Sequence, residues 1–80
     1  MKYTIHLFGI TRDIIGKSIT EIESDAILDV QTILQKLKLD YPRLTSIKSL
    51  LVAVNSEYAE ADLLLRESDE IALIPPVSGG

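Results

Sequence analysis

Tyr3, Ile5 and Leu7 alternate with Lys2, Thr4, His6 and Phe8, and this period of two predicts a half-buried strand over residues 2–8 that ends at Gly9. Residues 10–16 read as a short helical turn around Ile10, Ile14 and Ile15, stopped by Gly16. Ser18–Glu23 alternates again. Ile19 is expected on the inner face together with Glu21 or Ile22, which leaves the register of this second hairpin strand open.

The spacing then changes to that of a helix. Val30, Ile33, Leu34 and Leu37 stand at i, i+3, i+4 and i+7, one apolar stripe behind Asp29, whose carboxylate can accept from the free amides of a first turn. Lys36 and Lys38 suit the negative end of the helix dipole, and Pro42 biases Tyr41 away from helix. Leu50–Val54 reads as a buried strand and Asn55-Ser56-Glu57 as a turn. Tyr58–Leu65 fits either an edge strand or an irregular loop, and Arg66–Asp69 is a polar connection. Ile71–Ile74 is the last strand, ended by Pro75-Pro76, which cannot donate to a ladder. Two strands, one main helix and two or three further strands predict an α+β roll, a mixed four- to five-stranded sheet with the helix across one face. The expected organisation is a single domain over 1–74 followed by an extended, flexible tail over 75–80.

Composition narrows the function. Eighty residues, 46% of them hydrophobic and 25% charged, make one small folded domain. A chain this short buries only about 60% of its unfolded surface. It has no cysteine, hence no disulfide, thiol nucleophile or thiolate ligand. The formal charge of −4 disfavours nucleic acid and anionic membranes as partners. Glu57, Glu60, Asp62, Glu67, Asp69 and Glu70 are half of the twelve acids. They read as a solvated loop region or as a face that steers towards a basic partner. Residues 1–4 lead directly into a strand pattern without the apolar core of a signal peptide, and no run approaches the ~20 apolar residues of a spanning helix. A cytoplasmic protein is expected.

Side-chain catalysis finds no support. His6 is the single histidine, on a strand face beside Lys2 and Thr4, and reads as an exposed polar residue. No His pair, EF-hand, P-loop or dinucleotide motif is present, so no metal site is expected. Asp69 and Glu70 are adjacent strand residues that point apart, a poor acid–base pair.

The C-terminus is the remaining candidate. A Gly-Gly pair at a chosen position arises by chance about once in 200. Here it ends the run Pro75-Pro76-Val77-Ser78-Gly79-Gly80 directly after a strand. The prolines restrict the backbone to extended forms and lower the entropy lost on insertion. Six residues at about 3.1 Å each reach roughly 18 Å, enough to thread a partner's channel. Glycines lack a Cβ and fit where the channel is narrow. The carboxylate of Gly80 is then the reacting group: adenylation makes it an electrophile, and sulfide attack makes it a thiocarboxylate. If the first and last strands pair in parallel, Phe8 and Ile74 meet at the root of this tail. They form an apolar docking patch there unless a second layer covers them.

Val52-Ala53-Val54-Asn55, Asp69-Glu70-Ile71-Ala72 and Pro75-Pro76-Val77-Ser78-Gly79-Gly80, with Leu7-Phe8-Gly9 and Arg12-Asp13 near the start, resemble the small subunits of molybdopterin synthase in the ubiquitin-like ThiS/MoaD family. Two positions depart from the family's habit: Leu73-Ile74 stands where an aromatic pair is common, and Ser68 where glycine is common. The resemblance implies a β-grasp fold and a carrier subunit without a side-chain active site of its own. It implies activation of Gly80 by an E1-like adenylyltransferase using ATP, with no cofactor bound to the carrier. It implies sulfur from a donor such as a cysteine desulfurase or rhodanese-type protein. The charged tail would then enter the large, catalytic synthase subunit and give its sulfur to cyclic pyranopterin monophosphate. Gly79 permits the insertion, and Phe8 and Ile74 match docking positions. The residues leave other destinations open: thiamine thiazole or thiolated tRNA, a modifier joined to target lysines through Gly80, or an interaction module with an inert tail.

Overall fold

The computed structural model describes residues 1–76. Its elements are β1 (Lys2–Leu7), α1 (Gly9–Ile15), β2 (Ile19–Glu23), α2 (Val30–Asp40), a 3₁₀ turn (Pro42–Ser46), β3 (Leu51–Val54), β4 (Glu57–Tyr58) and β5 (Ile71–Ile74). The five strands form one sheet in the order β2-β1-β5-β3-β4. β1 and β5 pair in parallel at its centre, and the other neighbours are antiparallel. This is the α+β roll that the hydrophobic pattern predicts.

Alternation sorts the sheet into two faces. Tyr3, Ile5 and Leu7, Val52 and Val54, and Ile71 and Leu73 are all buried on the inner face. They pack with Val30, Ile33 and Leu37 of α2, with Leu34 of the same stripe only partly buried. Burying such a side chain contributes roughly 1.5–3 kcal/mol before entropy is subtracted. Docking on the sheet, more than intrinsic propensity, therefore holds an eleven-residue helix.

The start of α2 is fully accounted for. The Thr32 N–H donates to Asp29 Oδ1 at 2.8 Å, the Val30 N–H to the Leu63 carbonyl at 3.1 Å and the Gln31 N–H to the Ala61 carbonyl at 2.9 Å. The ambiguous stretch 58–65 is thus neither a full strand nor a free loop. After the short β4 it crosses the end of α2, supplying carbonyls to amides that have no partner within the helix, and then buries Leu65.

Buried Tyr3 ties three segments together. Its hydroxyl accepts from the Leu28 N–H at 3.1 Å and donates to the Leu65 carbonyl at 3.2 Å. At the other end of β1, Gly16 closes α1 with φ +82° and an N–H bond to the Arg12 carbonyl at 2.7 Å.

The structure settles one open register, corrects one expectation and adds one element. Ile19 faces outward and is 45% exposed, while Thr20 and Ile22 are the buried residues of β2. Register decides this: Ile22 lies opposite Tyr3 and Thr20 opposite Ile5, and directly paired residues share a face. Phe8 is not a strand residue. It caps α1, because the buried Thr11 hydroxyl accepts from the Phe8 N–H at 3.1 Å and donates to its carbonyl at 2.6 Å. Pro42 begins a 3₁₀ turn that buries Leu44, a small element the sequence pattern does not announce. Among the described residues, no helix is long and apolar enough to cross a membrane.

Candidate functional site

Because β1 and β5 run parallel with Leu7 opposite Leu73, the next residues, Phe8 and Ile74, emerge at the same end of the sheet. Phe8 is 49% exposed and Ile74 half-buried, so the described residues leave the patch uncovered. Cross-strand pairing extends it. Leu51 pairs with Ile74, and Ala53 pairs with both Ala72 and Tyr58, all on the outer face. Phe8, Ala53, Tyr58, Ala72 and Ile74 surround a cleft of about 430 Å³, walled also by His6 and Glu70. His6 therefore belongs to a recess, which its reading as an isolated polar residue missed. The signal was available in its shared parity with Phe8.

The β3–β4 hairpin sets one wall of this cleft. Asn55 and Ser56 take positive φ angles of 53° and 71°, the two central positions of a tight hairpin turn. Asn55 also locks the hairpin to the approach of β5. Its Nδ2 donates to Asp69 Oδ1 at 3.1 Å, its Oδ1 accepts from the Glu70 N–H at 3.0 Å, and Asp69 Oδ2 accepts from the Arg66 N–H at 2.8 Å. Asp69 and Glu70 thus do point apart, one into the turn and one into the cleft.

Those bonds divide the acidic stretch. Asp69 is consumed locally, and Glu67 accepts from the Lys2 N–H at 2.7 Å. The side chains of Glu57, Glu60, Asp62 and Glu70 are exposed and make no hydrogen bond or ion pair among the described residues. Of these, Glu70 lines the cleft, whereas Glu57 pairs with inner-face Val54, and Glu60 and Asp62 flank Ala61, whose carbonyl meets the start of α2. Among the described residues no group of three or more His, Asp or Glu side chains is placed to hold a metal ion.

The tail begins beside this face. Pro75 passes Gly9, where a Cβ would lie 3.2 Å from Pro75 Cγ, and Gly9 has φ +54°. On the far side of the root, Ile10, Ile47 and the two prolines border a second recess of about 600 Å³. Val77, Ser78, Gly79 and Gly80, the insertion segment and its reacting end, lie outside the described residues.

A model of the ThiS family matches residues 5–80. The chain belongs to the ThiS family. Within that family it is 41% identical to the molybdopterin synthase sulfur carrier subunit of Dictyostelium discoideum, over 99% of this chain and 96% of that one. Among solved structures it resembles SAMP1, the small archaeal modifier protein 1 of Haloferax volcanii, with 26% identity, full coverage of both chains and a TM-score of 0.85. It also matches a chain in the complex of subunits 1 and 2 of the molybdopterin-converting factor from Helicobacter pylori, at 23% identity, full coverage of both chains and a TM-score of 0.67, a likeness of fold alone. The roll of this ThiS-family chain is a β-grasp, ubiquitin-like fold.

Proposed function

We propose that this ThiS-family chain is the sulfur-carrier small subunit of a molybdopterin synthase, with the carboxylate of Gly80 as its reacting group. The observation that carries the reading is the central parallel pair. It sets an exposed apolar face, Phe8 and Ile74 with Ala53, Tyr58 and Ala72, at the root of Pro75-Pro76. A partner that covers this face receives the tail at a fixed origin, so docking and insertion become one event. The 41% identity with the Dictyostelium carrier over nearly the whole chain supports the choice of pathway.

The chemistry runs in two stages on the partner enzymes. The Gly80 carboxylate attacks the α-phosphate of ATP on an E1-like adenylyltransferase and releases pyrophosphate. The terminal sulfur of a persulfide on a sulfur donor, such as a cysteine desulfurase or rhodanese-type protein, then attacks the acyl carbon and AMP leaves. A second thiol attacks the donor's sulfur in the resulting acyl disulfide, so the donor leaves as a disulfide with that thiol and the thiocarboxylate remains. Docked on the large synthase subunit, that sulfur passes to cyclic pyranopterin monophosphate. Exposed Glu70 in the wall of the cleft favours a partner that carries a basic group beside its apolar centre. No step uses a cofactor held by this chain.

The test is intact-protein mass spectrometry after incubation with the activating enzyme, ATP and hydrosulfide. A gain equal to the exchange of one oxygen for sulfur, absent when Gly80 is deleted, is expected. An unchanged mass, with a known carrier loaded in the same mixture, sinks the reading. The likeness to SAMP1 favours one competitor, a modifier joined to lysines through Gly80. Adducts that survive denaturation and thiol treatment would establish that competitor instead.

A further inference from the structure

The sheet order leaves β2 with a neighbour on one side only. Hydrogen bonds at both ends of its ladder with β1 fix which groups face outward. The Met1 ammonium donates to the Ser24 carbonyl at 2.6 Å, and the Ser24 N–H donates to the Met1 carbonyl at 2.8 Å. At the other end the Leu7 N–H donates to the Ser18 carbonyl at 2.8 Å. Bonded pairs alternate along an antiparallel ladder, so Thr20 and Ile22 direct their N–H and C=O groups to β1. Those of Ile19, Glu21 and Glu23 point off the edge of the sheet, and among the described residues no hydrogen bond reaches them.

A recess of about 280 Å³ runs beside that edge. Lys36, Leu39 and Asp40, at i, i+3 and i+4 on α2, form one wall, and Glu21, Ile22 and Glu23 form the other. Leu39 is 79% exposed, so an apolar side chain lies open beside the unpaired strand. The carboxylates of Glu21, Glu23 and Asp40 outnumber the Lys36 ammonium. Glu21 also meets Lys2 at 3.7 Å, but both side chains are more than half exposed, so that pair is weak and leaves Glu21 available.

From these observations we infer that the free edge of β2 is a strand-addition site for an extended, basic peptide segment of a partner protein. Its outward ladder groups match a backbone that donates and accepts at every second residue, which an extended chain supplies. An antiparallel segment sets alternate side chains beside Glu23, Glu21 and Ile19 on the outer face, so the first two are lysine or arginine and the third is apolar. Its intervening side chains turn towards Leu39 and Ile22 and are apolar. A second copy of this chain is the poorer occupant. Antiparallel pairing of two β2 strands about their centre opposes Glu21 to Glu21, and each chain carries a formal charge of −4. No β2 residue lines the cleft of Phe8 and Ile74, so this surface is separate from the docking face, and the inference stands or falls apart from the carrier reading.

The test titrates the isotope-labelled chain with the peptide acetyl-Lys-Val-Lys-Val-Leu-amide and follows amide resonances and hydrogen exchange. The amides of Ile19, Glu21 and Glu23 are expected to shift and to exchange more slowly, while those of Phe8, Tyr58 and Ile74 stay in place. Methylating the peptide nitrogens of both lysines, which face β2, is expected to abolish binding. Methylating those of both valines, which face away, is expected to leave it intact. Glu21→Lys combined with Glu23→Lys is expected to weaken binding roughly 2- to 30-fold, the scale of two cross-strand charge pairs. The methylated peptides keep the test decisive if that variant fails to fold. Binding that survives lysine methylation, or that the scrambled peptide acetyl-Lys-Lys-Val-Val-Leu-amide equals, shows that charge alone suffices and overturns the inference. Shifts confined to Phe8, Tyr58 and Ile74, no shift at millimolar peptide, or a native chain already dimeric through β2 overturn it as well.

Discussion

Replacing Phe8 by alanine separates docking from folding, because the two uses of this residue reside in different atoms. Its fold-stabilising bonds to Thr11 involve only the backbone N–H and carbonyl, and these survive the substitution. Its ring is 49% exposed, so of the 150–250 Å² that an aromatic side chain can bury, roughly 75–120 Å² remains for a partner. At about 25 cal/mol per Å², covering that area contributes ~2–3 kcal/mol, or roughly 30- to 150-fold in affinity. The upper part of this range assumes full burial, and ordering costs on association draw the measured value towards the lower part. Titration calorimetry of the Phe8→Ala variant against the large subunit reads the loss, with circular dichroism and a urea midpoint to verify that the domain is intact. A dissociation constant within roughly threefold of native, in a folded variant, would refute the docking argument.

Three further outcomes follow from the geometry. Tyr3→Phe deprives the buried Leu28 N–H of its acceptor and is expected to cost ~1–3 kcal/mol, read as a lower urea midpoint at unchanged slope; a shift under ~0.5 kcal/mol would contradict the hub role. Ser56→Gly places the residue best suited to φ +71° in the hairpin turn and is expected to raise stability by ~0.5–1 kcal/mol, whereas a loss would show that the Ser56 side chain is needed. Hydrogen bonding from the Thr32 side chain and then its backbone N–H holds the Asp29 carboxyl below its ordinary 3.8. The depressed pKa means that this stabilisation is present above 3.8 and is lost as pH falls through the lower folded value. Asp29→Asn, which still caps, should flatten the pH dependence of the urea midpoint below 3.8; an unaltered profile would contradict the assignment.

The elements whose evidence is local were legible. Alternation in β1 and β5, the Asp29 cap with its apolar stripe, and Gly16 as a helix stop each declare themselves within a few residues. The inner face of β2 did not, since Ile19 looks like a core residue until pairing with β1 turns it outward and buries Thr20. The stretch 58–65 was ambiguous for a related reason: its order comes from amides of α2 that lie 30 and 33 residues earlier in the chain than the carbonyls they meet, which no local pattern contains. At the candidate site, Phe8 and Ile74 could be placed from strand parity and an assumed parallel pairing. His6 was seen but left outside the site, and Tyr58, Ala53 and Gly9 entered only with tertiary structure, through cross-strand pairing and a close approach to Pro75.

The central claim is that this chain carries sulfur on Gly80 to a pyranopterin. Its most direct test loads the native chain with radiosulfur through the activating enzyme, isolates it, and mixes it with the large synthase subunit and cyclic pyranopterin monophosphate in a single turnover. Label that leaves the protein and appears in molybdopterin dithiolene at the rate of product formation is the predicted result. Label that stays on the carrier while a Gly80 adduct forms on lysines, or that leaves only for another acceptor, would contradict it.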